Sequence, residues 1–290
     1  VVKADGLAAG KGVTICKTKK QALVITNEIL KGKFKSSKRL VLEEFLEGEE
    51  ASYFLIVDKN NFLFIGSAQD HKRVGENETG PNTGGMGAYS PAPIINKNLE
   101  KKIINKIVKP TLKALKSKNH PYTGFLYVGL MIKNNEPYLI EYNVRMGDPE
   151  CQVIMPRLKT DLVELLNATV ENNLDKIKIK WSKDKCMTTV LCSNGYPYKQ
   201  TSSKKINLKH IVLTKKSFIF HAGTKIKDGL LFSNGGRVLN IVVLGSNFLK
   251  IRNQITKIIK TIKWKHGFFR RDIGWRVIKK NENCKRFFKR

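Results

Sequence analysis

The stretch Pro137-Tyr138-Leu139-Ile140-Glu141-Tyr142-Asn143-Val144-Arg145 limits what this chain can fold into more than any other. It reads as an apolar strand with Glu, Asn and Arg at every second position. Side chains at i, i+2 and i+4 of a strand share one face, so Glu141, Asn143 and Arg145 would project together. Ile140, Tyr142 and Val144 on the opposite face would suit a core. Two oxygen ligands beside a fixed cation suit a Mg²⁺ held against phosphates, because magnesium takes one or two protein oxygens and leaves its other positions to water and phosphate. A strand with one solvated polar face is the plainer reading of the same residues.

Two further segments favour the phosphate reading. Val1-Val2-Lys3-Ala4 reads as a strand end, and Asp5-Gly6-Leu7-Ala8-Ala9-Gly10-Lys11-Gly12 as a loop of small residues around a second lysine. An apolar strand from Val13 to Cys16 follows. Glycines let successive backbone N–H groups turn toward an anion and leave room for it to approach. This is not a Walker A loop, which has four residues between its first glycine and Gly-Lys, then Ser or Thr. Here three residues separate Gly6 from Gly10, and Gly12 follows the lysine. With no hydroxyl in the loop for a metal, the Glu141/Asn143 strand is the place to hold one. The second segment runs from Leu40 to Ser52: an apolar strand, an acidic turn at Gly48, then another apolar strand from Tyr53 to Val57. Such a hinge can offer backbone groups to an adenine edge, and a carboxylate such as Glu50 can hold ribose hydroxyls. A solvated acidic hairpin tip is the alternative, but five glutamates within Glu43–Glu50 are unusual in so basic a chain.

These segments, taken in order, resemble the glycinamide ribonucleotide synthetase (phosphoribosylamine–glycine ligase) family of the ATP-grasp superfamily. The resemblance is carried by VVKADGLAAGKGV at 1–13, EEFLEGEEAS at 43–52 and SAQDHKRVGENETGPNTGGMGAYSPAP at 67–93. It continues through YTGFLYVGLMI at 122–132, IEYNVRMGDPE at 140–150, FHAGTK at 220–225, NGGRVL at 234–239 and RRDIGWR at 270–276. The QDHKR and GPNTGGMGAYSPAP runs separate this family from other ATP-grasp ligases. Family members carry an N-terminal domain ahead of the strand that opens here, so a fragment of a longer polypeptide is expected.

The resemblance implies an α/β and α+β chain: an ATP-grasp fold of two α+β subdomains, then a small β-rich C-terminal domain. The expected domains are 1–58 (nucleotide clasp), 59–181 (metal and acceptor site) and 182–290. It also implies ATP-dependent ligation of glycine to 5-phosphoribosylamine through glycyl phosphate, with ATP and Mg²⁺ or Mn²⁺ as cofactors. Glu141 and Asn143 would hold the metal. Arg145 would face the transferring phosphate, with Lys72 and Arg73 as further catalytic cations. Lys3, Gly6, Gly10, Lys11 and Gly12 would contact ATP phosphates, Glu43, Glu44 and Leu46 adenine, and Glu50 ribose. Asn82, Thr83, Gly84, Asp148 and Glu150 would line the acceptor side. Many ATP-grasp enzymes add a metal carboxylate on the preceding strand. Here 123–132 offers no acid, and Tyr127 stands near that position, leaving the number of metals open. His71 belongs to the QDHKR run, and the other histidines read as structural.

Composition bounds the remainder. A chain of 290 residues buries roughly three quarters of its unfolded surface. No apolar run reaches a membrane span, and five scattered cysteines without C-x-x-C spacing suit a reduced, cytoplasmic protein. The net charge of +30 raises nucleic acid as a partner. But only 11 of the 54 basic residues are Arg, the lysines are spread along the chain, and Ile and Asn are abundant too. Lys, Ile and Asn share A/T-rich codons, so codon bias accounts for all three. Only Lys285-Arg286-Phe287-Phe288-Lys289-Arg290 interleaves Arg with aromatics as nucleic-acid readers do. The expectation is a monomer with small-molecule substrates, no specific nucleic acid and no membrane. The alternatives are another ATP-grasp carboxylate–amine ligase, or an inactive fragment or basic binding protein.

Overall fold

The computed structural model describes residues 1–6, 8, 12–35, 37–199 and 202–278. Gly10, Lys11, Cys284 and the basic-aromatic tail lie outside the described residues. The chain divides into two compact units, Val1–Gly48 and Glu49–Arg290.

The first unit pairs β1 (Val2–Ala4) with β2 (Val13–Thr14) as the expected antiparallel hairpin across the glycine loop. Helix α1 (Lys19–Glu28) starts at Thr18, whose hydroxyl accepts from Gln21 N (3.2 Å) as an N-cap does. Of the apolar residues in 19–30 only Ile29, just past the helix end, is buried. Strand β3 (Leu40–Leu42) pairs with the other edge of β1.

The second unit is built on one antiparallel sheet. Its strands in chain order are β4 (Glu49–Asp58), β5 (Asn61–Asp70), a small hairpin of β6 (Arg73–Gly75) and β7 (Thr79–Asn82), and β8 (Gly87–Ser90). Next come helices α2 (Lys97–Ile103) and α3 (Lys109–Ser117), then β9 (Thr123–Lys133) and β10 (Glu136–Asn143). Short helix α4 (Cys151–Ile154), α5 (Leu162–Val170) and β11 (Lys185–Ser193) follow. The last elements are β12 (Ser217–His221), β13 (Thr224–Lys227), β14 (Leu230–Ser233), β15 (Arg237–Gly245), α6 (Phe248–Ile262) and β16 (Gly267–Phe268). The main sheet runs β10-β9-β4-β5-β8-β11-β15-β12, with β16 also on β11.

Three local features follow from sequence. Between α2 and α3 the helix widens into a π turn at Ile104–Val108, just before Pro110. Proline lacks an N–H and crowds the carbonyl four residues back, and the wider turn absorbs both effects without breaking the helix. Asn134 and Asn135, both at positive φ, close the β9–β10 hairpin as a two-residue loop. Asp161 caps α5, accepting from Val163 N (2.7 Å) and Glu164 N (3.2 Å).

Other expectations are corrected. The strand at 53–57 lies inside the large sheet, because β4 pairs on both edges, with β5 and β9. The β-rich C-terminal part forms as expected, and β11 joins it to the sheet by pairing with β8. The apolar stretch 208–213 forms no strand, and its Val212 is 88% exposed. A hairpin the reading missed, β13–β14, turns at Asp228-Gly229, both at positive φ, a strong hairpin signal in the sequence.

Apolar side chains pack against both faces of the sheet. Tyr53, Leu55, Val57, Val128 and Leu130 face Leu99, Ile103 and Ile107 of the helical segment 97–108. On the other face Phe54, Ile65 and Ala68 pack with Val153, Ile154 and Leu165. A third cluster joins β11 and β15 to α6 through Val190, Ile241, Ile251 and Ile255.

Candidate functional site

Antiparallel register brings the polar residues of β4, β5, β9 and β10 to one face. Glu141 pairs with Gly129, Gly129 with Ser52, and Ser52 with Ala68. Directly opposed residues of neighbouring strands face the same side. Glu50 and Asp70, each two residues along, and Tyr127 and Asn143 therefore join that face. The result is a cleft lined by Glu50, Ser52, Asp70, Lys72, Tyr127 and Glu141. Gly129 makes room for it: a Cβ there would meet Glu141 Cγ at 3.1 Å and the Tyr127 ring at 3.2 Å.

The cleft is dense with acid. Lys72 Nζ pairs with Glu50 Oε2 at 2.9 Å. Buried Glu150 accepts from Ser52 Oγ (3.2 Å), which in turn lies 3.3 Å from Tyr127 Oη and can accept its proton. Asp70 Oδ1 is buried with no hydrogen-bond partner. Gly85, at φ +113°, closes over it: a Cβ there would stand 2.4 Å from Pro149 Cδ and 2.8 Å from Asp70 Oδ1. Burial, then the Glu150 carboxylate, drive the Asp70 pKa well above the usual carboxylate range. Burial likewise raises that of Glu150. Burial opposes the charge on Lys72, but Glu50, Tyr127 and Asp70 outweigh it and raise its pKa. Four carboxylates thus surround one ammonium group, in a chain of net charge +30.

Glu141 and Asn143 share a face as expected, Asn143 Nδ2 donating to Glu141 Oε1 (3.2 Å). Arg145 does not extend the row. β10 ends at Asn143, and Val144, expected in the core, is 71% exposed in a bend. The chain leaves the sheet there to carry Asp148 to Arg237 and Glu150 beneath Ser52. Arg145 is exposed and donates to Met146 O (3.0 Å). Arg73 is also turned elsewhere, bracing the β6–β7 hairpin through Gly80 O (2.8 Å). Among the described residues no group of three or more His, Cys, Asp or Glu could hold a metal. Tyr127 opposes Asn143 across the β9–β10 pair.

Of the acceptor residues, Gly84 and Asp148 are brought together by an arginine that the sequence reading passed over. Arg237 donates to Gly84 O (2.6 Å), Asp148 O (2.7 Å) and Asp148 Oδ2 (2.8 Å). Thr83 is engaged with its own loop, its N and Oγ1 both donating to Lys72 O (2.7 and 2.8 Å). Asn82 opposes Arg73 in the β6–β7 hairpin. Asp70, Ser52 and Arg237 lie within the QDHKR, EEAS and NGGRVL runs, but nothing local in those runs singled them out.

In the first unit, Lys3 pairs with Glu43 (2.6 Å), Gly6 N donates to Ser37 Oγ (3.2 Å), and Gly12 O accepts from Ala4 N (2.8 Å). Glu43 and Glu44 are exposed, and Leu46 is half-buried. The described cysteines, Cys16, Cys151, Cys186 and Cys192, are free, and burial pushes the thiols of Cys186 and Cys192 up to about 12. Among the described residues no helix is long and apolar enough to cross a membrane.

Comparisons with known proteins identify the family and the fold. The profile described as phosphoribosylglycinamide synthetase, ATP-grasp (A) domain, matches residues 1–151, and that of the C domain matches 186–276. The chain is 46% identical over 280 residues to a phosphoribosylamine–glycine ligase of Agrobacterium fabrum, covering 96% of this chain and 66% of that protein. It is 46% identical over 290 residues to the chloroplastic ligase of Arabidopsis thaliana, covering 97% of this chain and 54% of that protein. The crystal structure of the Thermotoga maritima phosphoribosylamine–glycine ligase superposes with a TM-score of 0.84 at 34% identity, over 93% of this chain and 68% of that one. A biotin carboxylase domain from Hydrogenobacter thermophilus shares the fold alone, at a TM-score of 0.63 and 15% identity over 92% of this chain and 57% of that one. With both profiles matched in order and the sheet in common, this chain belongs to the phosphoribosylglycinamide synthetase family and has an ATP-grasp fold.

Proposed function

We propose that this chain serves the ATP-dependent ligation of glycine to 5-phosphoribosylamine, giving glycinamide ribonucleotide, ADP and phosphate, as a cytoplasmic monomer. The observation that carries the reading is the Glu141/Asn143 donor pair, whose Glu141 lines a cleft with Lys72. It sits in a chain that matches phosphoribosylamine–glycine ligases along nearly its whole length.

A carboxylate oxygen of glycine attacks the γ-phosphorus of ATP and ADP departs, leaving glycyl phosphate. The amine nitrogen of 5-phosphoribosylamine then attacks the acyl carbon, the C–O bond to phosphate breaks, and the nitrogen sheds a proton. ATP supplies the leaving group, so the protein needs no nucleophile. Its work is positioning and neutralising charge. Glu141 and Asn143 fit a divalent metal: their mutual hydrogen bond leaves each side chain an oxygen for a hard cation, Mg²⁺ or Mn²⁺. A bound metal would neutralise charge on the transferring phosphoryl group. Lys72 is the cation within the same cleft, and Arg145, on its exposed bend, is the candidate for the acyl phosphate. In the first unit, Lys3, Gly6 and Gly12, with Gly10 and Lys11 outside the described residues, are assigned to the nucleotide phosphates. Glu43, Glu44 and Leu46 are assigned to adenine, and Glu50 of the second unit to ribose. Gly84, Asp148 and Glu150 form the acceptor side with Arg237, while Arg73, Asn82 and Thr83 shape the loop that carries it.

Calorimetry on residues 1–290 is expected to show ATP binding that requires Mg²⁺ or Mn²⁺. The intact protein is expected to release ADP only when both glycine and 5-phosphoribosylamine are present. Failure to bind nucleotide, or ADP release with a different carboxylate and amine pair, would overturn the assignment.

A further inference from the structure

On the far side of the QDHKR run lies a buried polar cluster that the proposed reaction does not use. His71 is fully buried. Gly274 N donates to its Nε2 (3.0 Å), so the proton sits on Nδ1, which faces Glu78 Oε1 (2.9 Å). Arg270, 2% exposed, donates Nε to Asp272 Oδ1 (2.8 Å), Nη1 to Arg73 O (2.9 Å), and Nη2 to Glu78 Oε1 (2.9 Å) and Asp272 Oδ2 (2.7 Å). Asp272 Oδ2 also accepts from Asn77 N (2.9 Å) and Trp275 Nε1 donates to Glu78 (3.4 Å). Residues 270–276 thus grip the hairpin 71–82 from a point almost two hundred residues further along the chain.

The gripped backbone also carries the cleft. His71 N donates to Gly87 O and Met86 N to His71 O (both 2.9 Å). One residue on, Lys72 O receives both Thr83 donors, and Lys72 Nζ reaches Glu50. Any shift of His71 carries Lys72, Thr83 and Gly84 with it.

We propose that the 270–276 segment is a positioning clasp for the acceptor side of the ligase, with Arg270 and Gly274 holding His71 and Glu78 so that Lys72 and the 83–85 turn keep their reactive placement. This rests on the ligase reading above. Breaking a buried arginine that makes four hydrogen bonds would show first in the rate, because a small misplacement of reacting groups far from the break costs roughly a hundredfold. The clasp is also acid-sensitive. A proton on His71 Nε2 would face the Gly274 N–H and lose that bond. The groups facing the ring are Glu78, Asp272, Arg270, Arg276 and Tyr89. Burial, Arg276 and Arg270 lower its pKa against the pull of Glu78. Removing Arg270 should therefore move the acid limb of the rate profile to higher pH.

The test is steady-state ADP release by the intact protein, with each substrate varied and folding followed by circular dichroism. Arg270→Met is expected to lower kcat about a hundredfold, to leave the KM for ATP nearly unchanged, and to raise the pH of the acid limb. Arg270→Lys should recover part of the rate. Arg271→Met removes only the exposed Arg271–Glu76 pair and should change the rate by less than about fivefold. If Arg270→Met does not fold, His71→Asn carries the same test, since its shorter side chain cannot reach Gly274 N and leaves the Arg270 ion pairs. A folded variant with wild-type kcat and an unmoved acid limb would overturn the clasp alone. Wild-type protein without glycine-dependent ADP release would overturn the ligase reading and the clasp with it.

Discussion

Asp70, His71 and Lys72 are consecutive, yet they serve two regions built on opposite principles. Asp70 and Lys72 face a cleft where buried acid outnumbers its partners and one carboxylate oxygen has no hydrogen bond. His71 faces a cluster in which the arginine spreads four hydrogen bonds over two carboxylates and a carbonyl. A buried polar group without a partner costs stability, whereas a fully bonded network costs little and fixes geometry. The cleft therefore holds buried acid at a cost in stability, as the proposed metal and substrate site would require, and the proposed clasp would hold that acid in place.

The sharpest way to break the comparison is Glu141→Gln in the intact protein. Gln keeps the shape and one acceptor oxygen but loses the charge that attracts a divalent ion. Activity should fall about a hundredfold or more, since each ~1.4 kcal/mol is a factor of ten and such metal clamps are worth several kcal/mol. Thermal unfolding should show stability nearly unchanged or raised, because one like charge leaves the cleft. Near-normal turnover with unaltered metal dependence would move the metal elsewhere.

A second contrast lies in stability. Glu78→Gln should cost about 2–3 kcal/mol, the scale of hydrogen bonds to a charged partner, while Asp70→Asn should leave stability unchanged or raise it. Their pH dependence should differ in sign. Burial opposes the Glu78 charge, but His71 and Arg270 hold its carboxyl well below the usual range. Its contribution is complete above its unfolded value of ~4.3 and is lost as pH falls through the folded one. The lowered His71 pKa acts in the same direction, its contribution being complete above ~6.5 and lost below that. The raised pKa of Asp70 acts oppositely, adding stability as pH falls through it. Urea titrations across pH should therefore show Glu78→Gln with a flatter acid loss and Asp70→Asn with a steeper one. Identical profiles would mean that the two regions are not electrostatically distinct.

The smallest expected effect concerns the lysine-rich surface, whose sign is opposite to that of the cleft. Duplex DNA should bind weakly, without sequence preference, and release steeply as salt rises toward physiological strength. A sequence-selective complex persisting at that ionic strength would give the charge a function that codon bias does not.

Much of this could be read from residue order. Alternation along Pro137–Asn143 foretold that Glu141 and Asn143 share a face, because strand geometry has a period of two and needs no partner to state it. The glycine loop between β1 and β2, the cap at Asp161 and the helix of 248–262 are likewise local, set by turn chemistry and helical period. What the same reading could not supply was where pairing stops. Alternation continues to Arg145 on paper, but β10 ends at Asn143 because Asp148 and Glu150 have distant appointments with Arg237 and Ser52. Strand 53–57 looked like the end of a small unit because its second pairing edge, β9, arrives some seventy residues later. The buried acid at Asp70 and the grip of Arg270 on His71 join residues far apart in the chain. Neither carries a local period or spacing; both exist only once the sheet has closed and water has been excluded from those particular atoms.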